Sequence, residues 1–356
     1  MNDETWERMR GILARVAVGP AGSRDLSEQE AYEAMTLCLG DGVSDVQKGV
    51  FLIAERLKRE TLDENTGFLR ALVDASHVVS VKAPLVLSLC DPYDGFKRVP
   101  HFAPVVAAVL GACGLPTYVH GAMTMAPKHG VTHRAVLEAF GLRLDVGRGL
   151  DSVQAAGERV VRNGAAYVDV EDFCPALAAL GPLRREIAKR PCLATLEKLI
   201  APLRGAEETS LCVGWVHRGY DETIVALSRR QGFHRVLMVK GREGHVDPSV
   251  SRDTPVLMAS HDDAPQSDLL QPKSYGLLVS QPEDFGEITA SRIAELWDMA
   301  MTRKHRTLPA QTVRLLAGTL LAHCGKATTI MRGVGLAHEV IVSGAARRTL
   351  LGMGDA

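Results

Sequence analysis

The sequence predicts an α/β protein, with a small helical unit at the N-terminus and a large domain built on a mainly parallel central sheet. Three observations carry this. The first stretch of chain repeats capped amphipathic helices with no strand pattern between them. From Val78 onward, short apolar runs alternate with helical segments, as strands joined by crossover helices do. With 356 residues, 46% of them hydrophobic, the chain can bury the core of about two domains.

Taken in order, Ser27 stands as N-cap before a helix from Glu28 to Leu39, with Glu30 at the capping-box position, and Gly40-Asp41-Gly42 stops it. Ser44 caps a second helix from Asp45 to Arg59, where Val46, Val50, Ile53, Ala54 and Leu57 recur at helical spacing and form one apolar face opposite a charged one. A third, from Asp63 to Ser76, gathers Phe68, Leu69 and Leu72. Three short helices with apolar faces need partners to cover them, and a second copy of the chain, paired about a twofold axis, is the expected cover. The strand-like runs Val78–Val81 and Leu85–Leu89 come next, followed by a loop from Cys90 to Arg98, a helix from Ala103 to Cys113 and a strand from Thr117 to His120. The alternation resumes with strands at Thr209–Gly214 and Arg235–Lys240 flanking a helix from Asp221 to Arg230. Helices from Ser291 to Met301 and Thr312 to Ala322 follow, with at least one more after Gly325.

Composition narrows the function classes. A net charge of −1 argues against a protein that coats nucleic acid by bulk charge, while local basic clusters such as Lys97-Arg98 and Arg184-Arg185 leave phosphate binding open. The seven cysteines are odd in number, scattered and without CxxC spacing, and read as reduced core residues rather than disulfides or zinc ligands. No apolar run reaches the roughly 18 residues of a membrane span, and the acidic, polar start is unlike a signal peptide. The expectation is a cytoplasmic protein without membrane attachment or structural metal.

The stretch from Pro116 to Gly141 is the most informative. It holds His120-Gly121, then Lys128-His129-Gly130, then a helix reading Ala135-Val136-Leu137-Glu138-Ala139-Phe140-Gly141. This resembles the phosphoribosyl-diphosphate half-site of the anthranilate phosphoribosyltransferases (glycosyltransferase family 3), in which glycine lets backbone N–H groups approach phosphate and lysine supplies a point charge. Glu30 to Met35, Gly42 to Gln47 and Phe51 to Thr61 resemble the helical N-terminal domain of the same family. The resemblance implies a helical subdomain over residues 1–77 with a later helical excursion over 176–203, and an α/β domain from 78–175 and 204–356. It also implies a homodimer through the N-terminal helices, and a phosphate site at Asp94, Gly95, Lys97, Arg98, His120, Gly121, Lys128 and Gly130.

The chain departs from the family where the chemistry is most demanding. Active members carry a Gly-Thr-Gly-Gly-Asp-Gly loop. Here Cys90, Asp91, Pro92 and Tyr93 precede Asp94-Gly95, adding side chains where close approach needs none and, at Pro92, removing a donor. The family's magnesium-holding Asp-Glu pair has become Val246-Asp247, leaving Asp247, with Glu243 nearby, as the only metal candidates. The run from Arg190 to Pro202 is longer than its counterpart, so the aromatic-acid pocket is re-registered. Arg184, Arg185, Lys189, Arg190 and Lys198 form an expected basic strip along an acceptor or nucleic-acid cleft. The expectation is a divergent paralogue without anthranilate activity that binds a polyanion, nucleic acid or sugar phosphate, in a basic cleft. The alternatives are an active phosphoribosyltransferase using phosphoribosyl diphosphate and magnesium on another acceptor, and a scaffold whose dimer surface is the function.

Overall fold

The computed structural model describes residues 3–19, 21–144, 146–217, 219–261, 263–277, 285–302 and 306–354. Four helices open the chain: α1 (Asp3–Val16), α2 (Glu28–Leu39), α3 (Asp45–Lys58) and α4 (Leu62–Asp74). Capping boxes close the N-termini of α2, α3 and α4, each with a Ser or Thr side chain accepting from the N3 amide while the N3 side chain reaches back. α1 was not anticipated, because its stretch is too charged to read as a core helix.

The apolar stripe of α3 does not face the core of its own chain. The helix buries Phe51 and Leu52 together with Gln47, Lys48 and Glu55, whereas Val46 and Leu57 are 75% and 78% exposed. The charged face turns inward because its charges are matched there. Lys58 Nζ lies 2.6 Å from Glu64 and 3.4 Å from Glu55. Burial, reinforced by Glu64, pushes the Glu55 carboxyl up to about 8, so it is largely protonated at neutral pH.

The α/β domain follows as β1 (Val79–Ser80), β2 (Leu85–Cys90), α5 (Ala103–Ala112), β3 (Thr117–Gly121), α6 (His133–Ala139), α7 (Leu150–Asn163) and β4 (Ala165–Asp169). A run of short helices then leaves the sheet: α8 (Val170–Phe173), α9 (Pro175–Ala179), α10 (Gly181–Ile187) and α11 (Leu193–Leu196). Of these α10 packs on α3, and α11 on α4. The chain returns through β5 (Leu203–Arg204), β6 (Glu208–Gly214), α12 (Tyr220–Arg230), β7 (Arg235–Val239), β8 (Thr254–Ser260) and β9 (Gln266–Leu270). It ends in α13 (Ala290–Ala300), α14 (Leu308–His323), α15 (Ile330–Val342) and α16 (Ala345–Leu351).

The main sheet has the order β4-β3-β2-β6-β7-β8-β9. Its first five strands are parallel and the β7-β8-β9 edge is antiparallel. The Val78–Val81 run yields only the two-residue β1, which pairs with β5 outside the main sheet. The apolar α5, lying against the β2-β3-β4 side, is buried along nearly its whole length. Chain direction across the sheet reverses between β2 and β6, and the crevice beyond their carboxyl ends is where open α/β sheets bind ligands. The seven cysteines are free, six of them buried, and among the described residues no helix is long and apolar enough to cross a membrane.

α2 and α4 pack closely, and Gly67 allows it: a Cβ there would sit 2.2 Å from the Glu28 carbonyl oxygen and 2.7 Å from the Tyr32 amide. Neither backbone can yield without moving a helix. Gly67→Ala is therefore expected to lower unfolding stability by about 1–3 kcal/mol, a loss that urea denaturation measures directly and that the better helix propensity of alanine should not reverse.

Candidate functional site

The loops after β2, β3, β6 and β7 converge on the β2/β6 crevice. The loop after β2 is stitched to the loop after β3 by an antiparallel bridge between Phe96 and Val131 and by a Gly130 amide donating to the Asp94 carbonyl at 2.8 Å. The two backbones touch at Gly95, whose φ is +70°, and a Cβ there would lie 2.6 Å from the Gly130 carbonyl. Both glycines thus have a packing role that phosphate binding did not lead one to expect. The Asp91 carboxylate, buried at the end of β2, accepts from His133 Nε2 and from the Val246 amide, each at 2.9 Å. It joins the loops after β2, β3 and β7 at one point.

Most of the expected site residues come together here, though with partners the sequence did not disclose. Glu243 Oε2 accepts from the backbone amides of Lys97 (3.2 Å) and Arg98 (2.8 Å). Its Oε1 lies 3.4 Å from Lys128 Nζ and 3.7 Å from Arg98 Nε. Burial works against the charged carboxylate, but the Arg98 amide and Lys128 outweigh it and hold Glu243 below the ordinary glutamate range. Lys128 lies 5.0 Å above the Phe96 ring and 3.8 Å from Asp94. Its desolvation, only partly offset by Asp94, lowers its pKa. Asp94 in turn accepts a fork from Arg190, whose Nε lies 2.7 Å from Oδ2 and whose Nη2 bonds Oδ1. The mouth's inner cations are thus matched by its own carboxylates.

Other candidates are placed elsewhere. His120 is fully buried beneath the mouth, hydrogen-bonded between Tyr93 Oη and Ser88 Oγ, and burial pushes its pKa down to about 3. Gly121 closes β3 beside Asp169. The expected basic strip breaks up. Arg184 is fully buried, donating to Glu197 at 2.7 Å, and Lys198 is buried with Nζ donating to the Gly214 carbonyl at 3.0 Å. Arg185 and Lys189 are exposed. Arg184 on α10 and Lys198 in the turn after α11 both face inward, where a buried cation needs an internal acceptor and each finds one.

Several residues that shape the site carried no sequence signal beyond their type. His101 is fully buried, with its ring 4.7 Å from that of His133, and burial drives its pKa well below the ordinary value. His245 accepts at Nδ1 from the Asp247 amide. Histidines on three strand-end loops were the available clue.

The family implies magnesium, and the residues do not fit it. Asp247 Oδ2 accepts from the Phe102 amide at 2.9 Å, leaving only a buried Oδ1 without a partner. Burial, then Asp91, raises its pKa well above the aspartate range, which disfavours the charge a hard cation needs. Val246 beside it offers no side-chain oxygen, and Glu243 is turned toward amides. Among the described residues no three His, Cys, Asp or Glu side chains converge as a metal site.

Between the domains, beside the end of β6, lies a cavity of about 220 Å³ whose lining includes Trp215, Tyr220, Arg56, Arg190 and Lys198.

A helical bundle set against a doubly wound sheet, with a loop-built mouth at the strand ends, defines a glycosyl transferase architecture. Residues 10–76 match the family model described as "Glycosyl transferase family, helical bundle domain", and residues 101–347 match "Glycosyl transferase family, a/b domain". The chain belongs to this family, in its anthranilate phosphoribosyltransferase-like group. An anthranilate phosphoribosyltransferase of Geobacillus thermodenitrificans is 29% identical over 340 residues, 95% of this chain and 96% of that protein. The crystal structure of the Thermus thermophilus enzyme superposes with a TM-score of 0.76 at 25% identity, covering 93% of this chain and 95% of that one. The Saccharomyces cerevisiae enzyme in complex with PRPP and Mg gives 0.78, covering 98% and 97%, and at 15% identity it speaks for the fold alone.

The buried histidines make a pH prediction. In the unfolded chain they take up protons near the ordinary histidine value, about 6.5. In the native state His120 does so only near 3, so between about pH 6.5 and about 3 the unfolded chain binds more protons. The stability contributed by neutral His120 is complete above that window and is lost as pH falls through it. The urea midpoint should decline across the window, and His120→Asn should remove part of the slope. An identical slope in the two proteins would contradict this.

Proposed function

We propose that this chain binds polyanions, single-stranded nucleic acid foremost, across the rim of the strand-end mouth, and does not transfer a phosphoribosyl group to anthranilate. One observation carries the reading: Lys128 and Arg190 inside the mouth are matched by Glu243 and Asp94, while further cations stand exposed on its rim. Lys97 and Lys240 are exposed on the loops after β2 and β7, Arg98 is exposed beside them though its Nε also lies 3.7 Å from Glu243, and Arg56 is exposed on the facing helical domain. Cations spread along a rim suit a chain of separate phosphates better than one compact diphosphate. The poor fit to magnesium and the side chains of Asp91, Pro92 and Tyr93 in the loop after β2 support the absence of anthranilate transfer.

Single-stranded DNA affinity should fall steeply with salt, and replacing both Lys97 and Arg98 with Ala should reduce the log–log slope by about 0.7 for each phosphate that is no longer neutralised. No binding in low salt, or binding without salt dependence, overturns the reading. So does magnesium-dependent consumption of anthranilate and phosphoribosyl diphosphate by the purified protein.

A second reading rests on the interdomain cavity beside β6, where Trp215 and Tyr220 face Arg56 and Lys198. This is room for a small planar acceptor, and it supports a transferase acting on something other than anthranilate. A rise in melting temperature with phosphoribosyl diphosphate and magnesium favours this reading, since a bound ligand stabilises by mass action.

A homodimer is part of the proposal. Val46, Val50, Ile53 and Leu57 line an apolar groove of about 830 Å³ together with Leu183 and Ile187 of α10, and a second copy offering the same patch is its natural cover. Sedimentation at micromolar concentration should give a dimer, and Leu57→Asp a monomer with unchanged helix content. A monomeric native protein contradicts this.

A further inference from the structure

Glu243 has an unusual backbone for its residue type. Its φ and ψ are 53° and 8°, the left-handed region that strains the backbone of an ordinary side chain. Gly244 follows at φ +85°. The segment is pressed against the end of β6, for a Cβ on Gly214 would sit 2.1 Å from the Gly244 carbonyl oxygen. What sets against this strain is the side chain, largely covered, with one carboxylate oxygen on the amides of Lys97 and Arg98 and the other facing Lys128 and the Arg98 guanidinium. Two adjacent backbone N–H groups and two cations converging on one point make an anion receptor. The carboxylate occupies it as an external anion would.

The segment is pinned on both sides of Glu243. Upstream, the Lys240 amide donates to the Pro255 carbonyl at 3.0 Å, and downstream the Val246 amide donates to Asp91. Residues 241–244 lie between these two anchors, and leaving the receptor would relieve the left-handed backbone at Glu243.

We propose that Glu243 is a specificity-determining internal anion: it holds the Lys97/Arg98 amide receptor closed to compact phosphate groups, which enter only when residues 241–244 swing the carboxylate out. This rests on the reading of the mouth as phosphate-facing and is independent of whether nucleic acid binds the rim. Glu243 thereby biases the mouth toward ligands held by exposed cations and against free diphosphates.

The test uses inorganic pyrophosphate as probe, without metal, titrated calorimetrically into the full-length native protein, Glu243→Gln and Glu243→Ala. Both variants should bind at least about tenfold more tightly than the native protein, because the competing charge is gone while the amides and Lys128 remain. Adding Lys128→Ala to Glu243→Ala should abolish the gain. Affinities within twofold of native in variants with native circular dichroism overturn the proposal. Should neither variant fold, amide resonances decide: saturating pyrophosphate must shift Lys97 and Arg98 in the native protein, and shifts confined elsewhere overturn it. Single-stranded DNA binding is measured alongside. Tighter pyrophosphate binding without DNA binding upholds the internal anion and removes the nucleic-acid reading, and the converse removes only the internal anion.

Discussion

The mouth of this protein is organised around one buried carboxylate. Asp91 ends β2 at the point where the sheet reverses direction, and its two oxygens hold His133, which opens α6, and the backbone of Val246 in the loop after β7. A buried carboxylate must find donors or pay a large desolvation cost, so those two groups are drawn to it and the three loops acquire a fixed relation. The Gly95–Gly130 contact and the seating of Gly244 against Gly214 follow from that closeness. At this level Asp91, Pro92 and Tyr93 are all buried, so the protein's own side chains fill the start of the loop.

Filling the mouth also decides its electrostatics. Where a ligand's phosphates would complement Lys128, Arg190 and the loop amides, this chain supplies Glu243 and Asp94. Asp247 is desolvated, with one oxygen accepting from the Phe102 amide. The same principle operates beyond the mouth, where Arg184 and Glu197 form a fully buried pair. Removing one partner of such a pair typically costs about 3–5 kcal/mol because a bare charge remains, so these residues hold the helical excursion together before they contribute to any ligand. Exposed cations are found outside, on the rim.

The sequence was most legible where structure is local. Ser27 with Glu30, and Ser44 with Gln47, announce helix starts because a capping box needs residues three apart and nothing else. Strands β2, β3, β6 and β7 were readable because a strand buried on both faces is a nearly unbroken apolar run. The antiparallel β8-β9 edge was not: Gln266–Leu270 is mostly exposed and becomes a strand only through its neighbour. The apolar stripe on α3 was legible as a stripe, but its outward direction depends on the Glu55–Lys58–Glu64 cluster that holds the opposite face inside.

The sequence by itself determined the family and much of the strand–helix order, though not α1 or the β8-β9 edge, since motif order and strand–helix alternation are properties of a line of residues. Only the tertiary structure decided the pairing of charges. Glu243 meets amides about 145 positions away and Arg190 meets Asp94 across 96. Lys198 ends on a backbone carbonyl, and His120 sinks into the core. Whether a lysine or arginine faces a ligand or a partner in its own chain depends on which acceptors the fold brings within about 3 Å of it, and that distance is set by packing.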